Sequence, residues 1–160
     1  MKKYFTLIIF AICAIIFGQT INNENLALEY YKKGDFEKAV QLYEELYKQK
    51  KVKSIYNKYL DCLIKTQAYK KGEKIIKNFY RKENDPTILI DWGSIYLIQN
   101  KDKLANEKFK LAIEEAKNNK RLLPLIASKF LKNKQYDFSL EAYELAKKET
   151  NKASYSIQIA

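Results

Sequence analysis

Apolar residues in this chain recur at helical spacing, in blocks separated by short polar turns. From Pro86 to Ala116 the pattern predicts two amphipathic helices joined at Asn100-Lys101-Asp102. Trp92, Gly93 and Tyr96 share one face of the first helix, and Ala105, Phe109 and Ala112 share one face of the second. Asp85 is a suitable N-cap, and Pro86 follows it where a missing N–H costs nothing. The pattern then repeats in phase. The small residues Ala39, Gly72, Ala105 and Ser139 are spaced by 33, 33 and 34. Tyr43, Ile76, Phe109 and Tyr143 keep the same spacing one turn later, and Tyr30, Leu63, Tyr96 and Phe130 keep it in the preceding helices. Ala39 is small so that two helices can approach closely where they cross. Gly34 suits a helix end in the left-handed region, and Asp35 can cap the helix that follows.

The order W-G-x-x-Y followed by A-x-x-x-F-x-x-A, and the string YYKKGDFEKAVQLYEELY, resemble the tetratricopeptide repeat (TPR), a helix–turn–helix of about 34 residues. The resemblance runs from about Leu26 to the C-terminus. It implies an all-α, TPR-like helical-hairpin solenoid of about four repeats, over residues 20–52, 53–85, 86–119 and 120–153. Each unit would bury its apolar face only against a neighbour. Leu60 departs from the family, which usually has a small residue there, and this puts the local crossing distance in question.

The flanks read differently. Residues 1–19 begin with Lys2-Lys3 and carry an apolar run from Tyr4 to Phe17, too short to span a bilayer comfortably. They match a secretory signal peptide, with Gly18-Gln19 at the cleavage region; bulky Ile16 leaves an uncleaved anchor as the alternative. Cys13 does not fit a lipid attachment site, because Ile12 stands where a small residue is needed. The chain is therefore expected to be exported, periplasmic or otherwise associated with the cell envelope, with no stable membrane span unless the signal is retained. Residues 154–160 have the spacing of a fifth first helix that stops short. That favours a truncated repeat over a tail capping the fourth, since solenoids normally close with a polar capping helix.

Composition changes the picture mainly by exclusion. With 4 Gly and 2 Pro the chain suits an almost wholly helical protein. Its formal charge of +11 is carried almost entirely by scattered Lys, with Arg only at 81 and 121, so nucleic acid is not the expected partner. There is no His, which removes His-based triads, the usual zinc sites and the commonest general base. Adjacent pairs such as Glu44-Glu45 and Glu114-Glu115 diverge on a helix and do not make a carboxylate dyad. No enzyme activity, metal or cofactor is expected.

The resemblance implies a non-catalytic protein–protein interaction scaffold of the cell envelope, gripping a peptide or protein on a concave groove lined by the first helices. The alternative is a structural spacer for a longer protein whose active domain lies beyond residue 160. Groove positions would include Lys32, Asn57, Asp61, Lys65, Ser94, Ser128 and Lys132; for each the competing reading is an ordinary solvated helix face. The carboxylate clamp of chaperone-binding members is not reproduced: Glu24, Asn57 and Ile90 fill one of its columns and Leu28, Asp61 and Ser94 another. Trp92 and the tyrosines read as inter-helix packing rather than a base-stacking platform. Cys62 reads as a reactive thiol or, more in keeping with its place, a small buried apolar residue. The run from Lys48 to Lys53 reads as a solvated turn, with contact to anionic lipid as the other possibility.

Overall fold

The computed structural model describes residues 23–150. The expected signal peptide and the C-terminal tail at 154–160 lie outside them. Among the described residues the chain is helical throughout, without strands. The helices are α1 (23–33), α2 (Phe36–Gln49), α3 (Lys53–Lys65), α4 (Tyr69–Glu83), α5 (Thr87–Ile98), α6 (Asp102–Asn118), α7 (Leu123–Lys132) and α8 (Tyr136–Thr150). A 3₁₀ turn, Lys120–Leu122, leads into α7. The chain divides into two compact units that meet between Lys71 and Gly72, within α4.

One turn motif is used four times. Gly34, Gln67, Asn100 and Lys134, again spaced by 33, 33 and 34, all have positive φ, at 78°, 57°, 57° and 59°. Around each, the following N–H donates back to the carbonyl five residues earlier: Asp35 to Tyr30, Ala68 to Leu63, Lys101 to Tyr96 and Gln135 to Phe130, at 2.8–3.0 Å. The left-handed residue's own N–H donates three residues back, to Tyr31, Ile64, Leu97 and Leu131. These paired bonds satisfy carbonyls that a helix end otherwise leaves without partners, and they turn the chain sharply into the next helix. Only the first of the four uses Gly, which reaches this conformation without the Cβ penalty.

In the first unit α2 packs on α3. Tyr43, Leu46 and Tyr47 of α2 and Ile55, Tyr56, Tyr59, Cys62 and Leu63 of α3 are buried, as is Ala27 of α1. The Tyr47 and Tyr59 rings lie 5.8 Å apart. The Asp35 carboxylate accepts the Lys38 N–H at 3.3 Å and so caps α2 as expected. Lys71, in the first turn of α4, bonds Glu44 of α2 at 2.6 Å.

The second unit is built on the pairs α5–α6 and α7–α8, with α6 and α5 also packed on α7. Asp85 caps α5: its carboxylate accepts the Thr87 N–H at 2.9 Å and its carbonyl accepts that of Ile88. Thr87 through Ile90 are all buried, so the first turn of α5 is covered on every side. Phe109, fully buried, meets Phe130 edge-on at 5.4 Å, and Phe138 lies 5.1 Å from it. The small column is buried at every member, Ala39, Gly72, Ala105 and Ser139. Ser139, the polar one, donates to the Ala127 carbonyl at 2.9 Å and so ties α8 to α7 without an unmet hydroxyl.

Candidate functional site

The first-helix faces carry the polar residues singled out by sequence, and each unit holds its own set. In the first unit Lys32 is exposed at the end of α1, and Asn57 and Lys65 are exposed on α3. Asp61 is half-buried and engaged: the Tyr31 hydroxyl of α1 donates to its Oδ2 at 2.7 Å. That bond to a carboxylate, with burial, pushes the Tyr31 phenol up to about 12, so it stays a donor at neutral pH. Lys58 sets its ammonium 4.0 Å from the centre of the same ring, a cation–π distance. Lys58, Tyr31 and Asp61 thus form one network joining α1 to α3.

Beside this network is a cleft of about 290 Å³ lined by Glu24, Leu28, Tyr43, Ser54, Ile55, Asn57 and Lys58. Leu28, Tyr43 and Ile55 give it an apolar floor, and Ser54, Asn57 and Lys58 supply donors from α3. Burial pushes the Tyr43 phenol up to about 12, with the Cys62 and Glu24 charges adding to it. Of the sequence-derived candidates the cleft gathers only Asn57 directly, and Asp61 lies one turn further along α3.

In the second unit Ser128 and Lys132 are exposed on α7, while Ser94 of α5 is half-buried. Ser94 donates its hydroxyl to the Ile90 carbonyl at 2.8 Å, one turn back in its own helix, so its donor is already used. The contact that joins the first helices here was missed by sequence reasoning: Lys129 of α7 meets Asp91 of α5 at 2.8 Å, with side chains only 22% and 18% exposed. Tyr31–Asp61 spans 30 positions and Asp91–Lys129 spans 38, so a search for pairs at the repeat period passes over both.

The remaining candidates behave as packing. Trp92 lies against the core of the second unit, with the Lys108 ammonium 4.3 Å from the ring centre. Cys62 is fully buried and its thiol is pushed up to about 12 by that burial, which makes it a poor nucleophile. Among the described residues no group of three or more His, Cys, Asp or Glu is placed to hold a metal ion, and no helix is long and apolar enough to cross a membrane.

No family model matches the sequence, and no curated protein matches it. Among solved structures the chain is similar to the crystal structure of MamA protein, with 16% identity over 81% of this chain and 72% of that one and a TM-score of 0.51. A MamA RS-1 double mutant is similar at 15% identity, over 88% and 80% of the two chains, with a TM-score of 0.52. The C-terminal part of a TPR repeat-containing protein from Cytophaga hutchinsonii shows a looser likeness, with 17% identity, 76% and 49% coverage and a TM-score of 0.42, from which nothing follows. Such identities speak to fold alone. With four helix–turn–helix connections closed by one recurring turn, and with the small and aromatic columns buried in phase, the fold is all-α and TPR-like.

Proposed function

We propose that the protein is a non-catalytic interaction scaffold of the cell envelope that holds a peptide or protein partner along the faces of its first helices. The observation that carries this reading is the way those faces are built. Neighbouring first helices are cross-linked by polar contacts, Tyr31–Asp61 in one unit and Asp91–Lys129 in the other, while Lys32, Asn57, Lys65, Ser128 and Lys132 stand exposed beside them. A surface fixed in this way loses little entropy on binding, so modest contacts suffice for useful affinity. Placement in the envelope rests on Lys2-Lys3 ahead of the apolar run from Tyr4 to Phe17.

The test is cross-linking capture from an envelope extract, run in parallel with the protein and with an Asn57→Ala, Lys65→Glu variant whose helicity is checked by circular dichroism. One defined partner, captured by the protein and lost with the variant, is the expected result. An identical capture profile from both would overturn the assignment of binding to these faces.

A further inference from the structure

We infer that the cleft of the first unit is an anchor pocket for a single large apolar side chain of the partner, flanked in the partner by acidic residues. This deepens the proposed scaffold reading and rests on it. Size decides the first half. At about 290 Å³ the cleft lies at the bottom of the range of about 300–1,000 Å³ found for small-molecule sites. It holds one bulky side chain, and its floor of Leu28, Tyr43 and Ile55 offers such a group apolar walls. Buried anchors of this kind dominate the energetics of protein recognition.

Charge decides the second half. Between Glu45 and Asp61 the sequence carries Lys48, Lys50, Lys51, Lys53 and Lys58 and no carboxylate. This run leads straight into Ser54 and Ile55, which line the cleft, so the lining residues at the start of α3 follow a stretch of net positive charge, within which Lys48 is paired with Glu44 at 3.7 Å. This is the N-terminus of α3, where Val52 provides no side-chain cap and the helix dipole adds to the positive field. At the pocket itself Lys58 is held over the Tyr31 ring, and that ring is fixed in turn by its bond to Asp61. Among the described residues Glu24 on α1 is the carboxylate of the lining, and Asp61 on α3 lies one turn beyond Asn57. Glu24 lines the cleft from the α1 side, and one oxygen of Asp61 is taken by Tyr31. The partner's acidic residues are therefore directed away from Glu24, toward the start of α3.

The experiment uses fluorescence anisotropy with the full protein and short, blocked Gly/Ser peptides. One carries a single Leu, one a run of Asp, one both, and one a Leu with a run of Lys. The peptide with both features is expected to bind at least about tenfold more tightly than any of the others. Raising the salt should weaken its binding, because the acidic contribution is screened. Lys50→Gln, Lys51→Gln and Lys53→Gln together should remove the advantage of Asp without affecting the Leu-only peptide. Leu28→Ala should remove the advantage of Leu while the helicity of the protein is unchanged. Equal binding of the Asp and Lys peptides, insensitivity to both variants, or no binding by any peptide would overturn the inference. Each of these would leave the broader scaffold reading to the capture experiment, which depends on Asn57 and Lys65 and uses no designed peptide.

Discussion

Gly93 of α5 lies directly against the Phe109 ring of α6, and Gly93→Ala tests how tightly the two helices are fitted. A Cβ built at position 93 would lie 2.2 Å from Cε1, 2.5 Å from Cδ1 and 2.8 Å from Cζ of Phe109. Carbon atoms prefer about 3.5–4.0 Å, so the ring or the helix must give by more than an ångström. The ring has little room. Phe109 is fully buried, with Phe130 at 5.4 Å and Phe138 at 5.1 Å between ring centres. Two terms oppose each other. Replacing Gly by Ala inside a helix is worth about 1 kcal/mol in favour of folding, whereas overpacking a tight core costs about 1–3 kcal/mol. Three contacts below 3 Å against a boxed-in ring place the cost at the upper end, so a net loss of about 2 kcal/mol is expected. Urea unfolding followed by far-UV circular dichroism reads the loss, and emission from Trp92, the sole tryptophan, reports the same crossing locally. Adding Phe109→Leu should make the double variant less unstable than the sum of the two single losses, because the neighbours share one space. A Gly93→Ala protein as stable as the parent, or more so, would refute the reasoning: helix propensity would have won, and the crossing would be softer than its geometry implies.

Other outcomes follow from the turns and the titrating groups. Lys134, at φ 59°, bears the left-handed Cβ penalty, so Lys134→Gly should stabilise by up to about 1 kcal/mol in the same urea assay. Lys101 precedes α6 without a side-chain cap, in the place that Asp35 fills before α2; Lys101→Asp should add about 0.5–1 kcal/mol. On the alkaline side, Cys62, Tyr31, Tyr43 and Tyr80 are each pushed up to about 12 in the folded protein. The unfolded chain therefore gives up these protons first, the cysteine before the tyrosines, and stability that is intact below about pH 8 should fall progressively towards pH 12. The urea midpoint across that window measures the fall, and Cys62→Ala should make it shallower.

The buried columns were legible because each member has the same chemistry at the same phase: small at Ala39, Gly72, Ala105 and Ser139, bulky and apolar at Tyr43, Ile76, Phe109 and Tyr143. The turns were legible only in part. Gly34 announces a left-handed residue, and Asn100 tolerates that region better than most, but Gln67 and Lys134 adopt it against their own preference, because the bonds to Leu63 and Phe130 hold the turn closed. Extending Gly34 along the repeat period would have found all three. The site was harder to read. Ser94 has the right phase for an exposed face, yet Ile90 takes its donor. Conversely, Lys129 and Asp91 matter because two helices bring them together, which spacing along one chain does not encode.

Leu60 remains a departure from the family pattern. It stands in the small column of the first helices with Ala27, Gly93 and Ala127, and it is nonetheless buried, at 6% exposure. The other three units combine a residue with little or no side chain at that place with a ring in the second helix: Tyr43, Phe109 and Tyr143. Gly93 and Phe109 show how closely such a combination is fitted. The unit with Leu60 instead has Ile76 in the ring column. At the α5–α6 crossing the small residue and the ring share one space, which is why a side chain at Gly93 is costly while Phe109 keeps its ring.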